Sequence, residues 1–311
     1  MRSVRLAAAA AALLLVRRRR APVGHFTSAA AQDRFQAAYD AALELLPRPD
    51  QVLDVRTGFG IVRLYRFGDG PARSVPLVLL PGRASAAPVW AANLPTLVEQ
   101  GPVYALDLLG EPGMSVQSRP ITSADDHAAW LQEVLALLPA PRLDLLGLSI
   151  GGWTAMNLVA RRATKVRSVV LLDPVLVYAP LAPAAVVRSI PAGLPWLPRT
   201  WRDRFTSWTA ADAPVRDEPV ARMIEAGMRD YRLRLPAPRR IPAGLLAGID
   251  VPVLVVVAGR SRMHDPAALA ATARHATPNA EVIVYPTASH AVNGEYPQRV
   301  AQDVAAFRDK A

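Results

Sequence analysis

Apolar residues in this chain come in short unbroken runs. Runs of strand length stand at Leu77–Leu80, Val103–Leu106, Leu143–Leu148, Val169–Leu172, Val253–Val257 and Val282–Tyr285. A strand with one wet face alternates apolar and polar residues. A run without alternation predicts a strand covered on both faces, as in a parallel sheet. The segments between the runs carry a helical period. Ala124–Leu138 places Trp130, Leu131, Val134, Leu135 and Leu138 on one stripe, and Ser123 with Asp126 reads as its capping box. Ala29–Leu46 has helical composition and stops at Pro47. Val52–Val55 and Ile61–Tyr65, joined through Thr57-Gly58-Phe59-Gly60, read as a hairpin. Strands alternating with helices predict an α/β fold: a mostly parallel sheet with helices on both faces.

The rhythm breaks between Val175 and Ile249. This stretch shows no clear strand and holds Trp196, Trp201, Trp208, many prolines and the amphipathic segment Val220–Tyr231. It is far longer than the connections of about 2–6 residues usual between core elements. It predicts a helical insertion over the C-terminal edge of the sheet. The expected organisation is a leader over 1–24, core over 25–174, a helical cap over 175–249 and the rest of the core over 250–311.

Charge changes the picture less than its total suggests. The 311 residues carry a formal net charge of +10, which invites a nucleic-acid reading. Six arginines (Arg2, Arg5, Arg17, Arg18, Arg19 and Arg20) lie in the first 20 residues, which hold no acid. The body behind them is only mildly basic, whereas a nucleic-acid domain needs a concentrated basic face. Hydrophobic residues make up 51% of the chain, which predicts a packed core rather than disorder. Cysteine is absent, which excludes disulfides, thiolate metal sites and a cysteine nucleophile. It also fits a reducing compartment, and a cytoplasmic location is expected. Within the leader, Leu6–Val16 is an apolar run flanked by arginine. It is too short to span a bilayer, and the positive charge after it opposes translocation. A solvated helix, a peripheral membrane contact through residues 1–20 and an export signal remain the alternatives for it.

The strongest chemical signal is Gly147-Leu148-Ser149-Ile150-Gly151, a G-x-S-x-G motif between an apolar strand and a helix placed at Trp153–Arg161. Such a turn pushes the serine hydroxyl out of the sheet edge, and the helix N-terminus aims N–H groups at it. A serine needs a base. Of the five histidines, His290 alone lies in a loop after the last predicted strand, where open α/β sheets place working groups. His127 falls inside the Ala124–Leu138 helix and reads as structural. An acyl-transfer site also needs donors for the oxyanion. The N–H of Ile150 follows the nucleophile directly, and the loop Pro81-Gly82-Arg83 offers the N–H of Arg83.

With these motifs in place, the chain resembles the α/β-hydrolase fold family over roughly Val52 to Phe307. Leu80-Pro81-Gly82-Arg83 stands where the family usually has His-Gly. The segment from Asp107 to Ser115 is similar to its Asp-x-x-Gly-x-Gly-x-Ser loop with one residue more. Ser289-His290 resembles its histidine loop. The segment 175–249 sits where the family carries its cap. The chain departs from the pattern at the triad acid. The family often places that Asp three residues after a Gly behind its seventh strand, and here Gly259 puts Arg262 there. Two carboxylates remain. Asp265 lies in the same loop, where Asp265-Pro266 also reads as a helix N-cap with proline at N1. Asp173 ends the sixth strand.

The resemblance implies a capped serine hydrolase acting on a small or medium hydrophobic ester. Ser149 is its nucleophile, His290 its base, and Asp265 or Asp173 its acid. Ile150 and Arg83 form its oxyanion hole. It implies no metal and no organic cofactor. Epoxide and haloalkane hydrolysis would need an Asp at the elbow. C–C bond hydrolysis, cofactor-free peroxidase chemistry and ligand binding without turnover are the alternatives on this fold.

Overall fold

The computed structural model describes residues 22–68, 75–194 and 196–311. Residues 1–21, which carry most of the expected leader and its membrane contact, lie outside the described residues. The short strand β1 (His25–Phe26) opens the described chain. Ser28 then caps α1 (Ala29–Leu43), its side chain accepting from Ala31 N–H. The predicted hairpin forms as β2 (Gln51–Thr57) and β3 (Gly60–Phe67). Alternation follows with β4 (Leu77–Leu80), β5 (Val103–Leu106), β6 (Val116–Gln117) and α2 (Ala124–Leu137). Ser123 and Asp126 close both halves of the capping box on α2. Next come β7 (Leu143–Leu148), α3 (Ile150–Val159) and β8 (Val166–Leu172).

The segment after β8 is helical as expected. It holds α4 (Pro183–Ala192), α5 (Arg199–Thr209) and α6 (Pro219–Asp230). It also contains a strand that the apolar pattern did not predict, β9 (Tyr231–Arg232), which pairs antiparallel with β1. Two residues are too few to leave a period. Then α7 (Ala243–Ala247) leads back to β10 (Val253–Ala258), α8 (Pro266–Ala276), β11 (Ala280–Tyr285) and α9 (Pro297–Arg308).

The main sheet runs β11-β10-β8-β7-β4-β5-β3-β2, with β6 paired to β3. From β11 to β5 every neighbour is parallel, while β3 and β2 close the edge antiparallel. The unbroken apolar runs have their cause in the two packed faces. Val78, Leu145, Val169 and Val255 point to the side covered by α2, α3 and α8. Leu77, Leu146, Val170 and Val256 point to the side covered by α1 and α9. A charge interrupts the β7 run. Asp144 is fully buried and accepts from Arg167 at 2.6 Å, Arg308 at 2.7 Å and Ser168 at 2.8 Å. Arg167 and Ser168 thereby extend β8 three residues ahead of its apolar run, because their side chains pair across to β7. Among the described residues no helix is long and apolar enough to cross a membrane.

Candidate active site

The turn between β7 and α3 holds Ser149 at φ 54°, ψ −113°. This is a sparsely populated conformation for any residue with a side chain, and one that surrounding structure must impose. The glycines make it attainable. A Cβ on Gly147 would stand 2.5 Å from the main chain of Gly151, and one on Gly151 would stand 2.2 Å from Leu80 O. The tight turn also explains why α3 begins at Ile150, three residues earlier than the sequence pattern suggests. Ser149 N–H donates to Leu172 O at 3.0 Å, which pins the turn to the end of β8.

The histidine comes from the loop after β11. Ser289 anchors this loop, with its N–H donating to Glu295 at 2.7 Å and its hydroxyl at 2.6 Å. His290 N–H donates to Thr209 O at the end of α5. The ring bridges two partners: Nε2 lies 2.9 Å from Ser149 Oγ, and Nδ1 lies 2.6 Å from Asp173 Oδ2. An ionised carboxylate can only accept. The ring therefore donates Nδ1–H to Asp173, and Nε2 accepts from the serine hydroxyl.

Of the two carboxylates left open by the sequence, the structure brings Asp173 to His290 and leaves Asp265 apart. Asp265 is exposed, and its carboxylate caps α8 by accepting from Ala267 and Ala268 N–H at 2.9 and 3.1 Å. That is the local N-cap role its Asp-Pro sequence announced, and against the expectation that left it open Asp265 is not the partner of His290. Asp173 is fully buried and four donors meet it. His290 and Ser261 Oγ, both at 2.6 Å, address Oδ2. Ala258 N–H and His264 Nε2, both at 3.1 Å, address Oδ1. Burial alone would raise its pKa; the hydrogen bonds from His264 and His290 outweigh that and hold it well below the usual carboxylate range.

Sequence reasoning assigned no role to His264. Its only signal was its place in the β10–α8 loop, which emerges beside Asp173. Arg262, the residue standing at the family's acid position, faces away. It pairs with Asp212 at 2.6 Å and lies over the Trp208 ring, tying the end of α5 to this loop.

Opposite His290 lies the loop after β4. A Cβ added to Gly82 would sit 3.8 Å from Ser149 Cβ, so this loop runs against the elbow. The Arg83 side chain lies 3.2 Å from the buried Glu111, whose other oxygen accepts from Ala84 N–H. Ile150 opens α3, and the first N–H groups of a helix have no partner within it. Asp107 braces the same region from below, accepting from Ala87 and Met114 N–H at 2.7 Å and from the Tyr39 hydroxyl at 3.0 Å.

A parallel sheet covered on both faces, with a serine on a strand-to-helix turn and a histidine from the last loop beside it, is the architecture of the α/β-hydrolase fold. The chain belongs to the alpha/beta hydrolase family, whose model matches residues 77–303, and it is an α/β-fold hydrolase. Carboxylesterase YbfK of Bacillus subtilis is 26% identical over 289 residues, covering 91% of this chain and 96% of that protein. Its crystal structure superposes with a TM-score of 0.82 over 90% of this chain and 99% of the other. The crystal structure of naproxen esterase from the same organism gives 0.81 at 24% identity, covering 89% and 97% of the two chains.

Proposed function

We propose that the protein is a carboxylic ester hydrolase that works through an acyl-enzyme on Ser149. The observation that carries this reading is the hydrogen-bonded chain Asp173–His290–Ser149, with its contacts of 2.6 and 2.9 Å. The similarity to proteins named carboxylesterases supports the choice of ester.

Ser149 Oγ attacks the ester carbonyl while His290 Nε2 takes its proton. Asp173 holds the ring in the Nδ1–H tautomer and stabilises the imidazolium. The carbonyl oxygen becomes an oxyanion that accepts from the N–H groups of Ile150 and Arg83. As the tetrahedral adduct collapses, His290 returns the proton to the departing alkoxide, which leaves as alcohol. A water then adds to the acyl-enzyme, giving its proton to Nε2. Collapse releases the carboxylic acid and returns the proton to Ser149. The helices between β8 and β10 act as the cap that shapes the substrate site, and His290 N–H bonding to Thr209 O joins the two parts.

The case for ligand binding without turnover rested on Arg262 at the acid position, and the contact of Asp173 with His290 supports turnover instead. A fluorophosphonate probe tests the proposal. Labelling that maps to Ser149 and vanishes in Ser149→Ala is expected. Folded protein that resists the probe would refute it.

A further inference from the structure

Among the described residues, three buried polar atoms without a hydrogen-bond partner belong to side chains that line one recess beside the elbow. They are Glu111 Oε1, His127 Nδ1 and Trp130 Nε1. Glu111 is 2% exposed, His127 7% and Trp130 0%. The Arg83 guanidinium is 3.2 Å from Glu111 Oε1 as an ion pair, without the alignment of a hydrogen bond. The other walls are mainly apolar, including Leu109, Trp153, Leu235 and Pro236. Ile150 and Arg83, whose N–H groups are the proposed oxyanion donors, are among the residues that line the recess. Trp153 Nε1 donates to Arg239 O at 2.9 Å and holds the segment that covers it.

Buried polar groups are normally paired, so several orphans around one space point to a partner of matching chemistry. The indole N–H can only donate, an ionised Glu111 can only accept, and the imidazole does either according to tautomer. Burial and the nearby Arg83 lower the His127 pKa to about 4, which leaves its ring neutral at pH 7. Burial raises the Glu111 pKa against the pull of Arg83, so a neutral partner suits either protonation state of the carboxyl, whereas a cation would meet Arg83. A hydroxyl is neutral and both donates and accepts. The free space at the centre is about 10 Å3, which suits one water-sized group.

We propose that this recess is a subsite for a free hydroxyl group of the substrate, so that the enzyme prefers hydroxylated esters to their deoxy parents. The proposal rests on the ester-hydrolase reading above. The hydroxyl belongs to the acyl or to the alcohol half, and two series separate these sources. One is ethyl esters of hydroxyalkanoic acids with the hydroxyl moved along the chain. The other is hydroxyalkyl acetates. Each compound is paired with its deoxy parent, and kcat/KM is read by pH-stat.

The expected result is that one position in one series exceeds its parent by about tenfold or more, the kind of discrimination a buried hydrogen-bonding site gives. Trp130→Phe and Glu111→Gln each shrink that ratio. Calorimetric titration of Ser149→Ala with the same pairs is expected to show the same preference in Kd. Ratios at or below one at every position, in turnover and in binding, would overturn the proposal, since the recess would then take up solvent alone. Wild-type protein that hydrolyses no ester of either series would sink the ester-hydrolase reading, and the calorimetric preference would still decide the recess.

Discussion

Replacing Asp173 by asparagine isolates the part of the site that the sequence left open. The change keeps the shape and swaps one oxygen for an NH2 group that can only donate. The surroundings dictate which way the amide lies. Ala258 N–H, a fixed donor 3.1 Å from Oδ1, requires an oxygen on that side, and His264 Nε2 donates there as well. The NH2 group is therefore forced to the Oδ2 side, where it faces Ser261 Oγ and His290 Nδ1. The hydroxyl of Ser261 can rotate to accept. His290 can accept at Nδ1 only by moving its proton to Nε2, the nitrogen that receives the proton of Ser149 in the proposed mechanism. A triad histidine in the wrong tautomer loses on the order of 10⁴ in kcat, or about 5 kcal/mol of barrier. The assay is steady-state hydrolysis of a p-nitrophenyl ester, with circular dichroism to verify folding. Asp265→Ala is the control. It is expected to keep its rate and lose about 1 kcal/mol of stability, as a lost N-cap does. A folded Asp173→Asn within about tenfold of wild type would refute the tautomer argument. So would an Asp265→Ala variant that loses as much activity.

Three further outcomes follow from particular side chains. His264→Phe removes one donor from the Asp173 carboxylate; kcat is expected to fall about tenfold with KM little changed, and His264→Gln, which can still donate, to recover part of the loss. An unchanged kcat in His264→Phe would show that this histidine only fills space. Asp144→Ala strands Arg308 and Arg167 beside the sheet and is expected to cost about 3–5 kcal/mol in urea unfolding, with a loss under 1 kcal/mol counting against it. His127 is held at about 4 against its usual 6.5, so the unfolded chain binds the proton first as pH falls. Stability is therefore lost from about pH 6.5 downwards, by about 2 kcal/mol between pH 7 and pH 5 from this group. Urea melts of His127→Phe at both pH values are expected to lack that share of the decline, and an unaltered decline would contradict the assignment.

What was legible in the sequence is what short-range pattern encodes. The central strands appear as apolar runs because both their faces are packed, and Leu77–Leu80, Val103–Leu106 and Leu143–Leu148 match their strands end to end. The two-residue strands β1, β6 and β9 carry no period and stayed hidden. Ser149 stood out because its glycines have to be where they are for a turn that tight. His290 was marked by chain order and by its loop. The partner of His290 was not legible, because the contact joins residues 117 positions apart and both candidate aspartates lay near strand ends. The helix-capping signal at Asp265 was correct and had no bearing on the site. Glu111 was hidden for another reason. It stood in the extra-long loop after Asp107, where an acidic residue looks like ordinary surface, yet it is 2% exposed.

The position of the proposed acid, Asp173, makes sense once the strands are set side by side. β8 and β10 are parallel neighbours in register, Val169 opposite Val253 and Leu172 opposite Val256. Their ends therefore emerge at the same height and about 4.8 Å apart, a distance within the reach of one side chain. Asp173 N–H donates to Val256 O, and Ala258 N–H donates back to the Asp173 carboxylate, so the two strand ends are laced together where the acid stands. An aspartate on β8 can thus address the same histidine as one in the loop after β10. The β10 loop, freed of that task, has been given others. Ser261 donates to Oδ2 and His264 to Oδ1 of that carboxylate, Arg262 fastens the loop to Asp212 beyond α5, and Asp265 starts α8. Ser261 and His264, in a loop that looks irregular beside the family pattern, are in space the support of a carboxylate that sits one strand over.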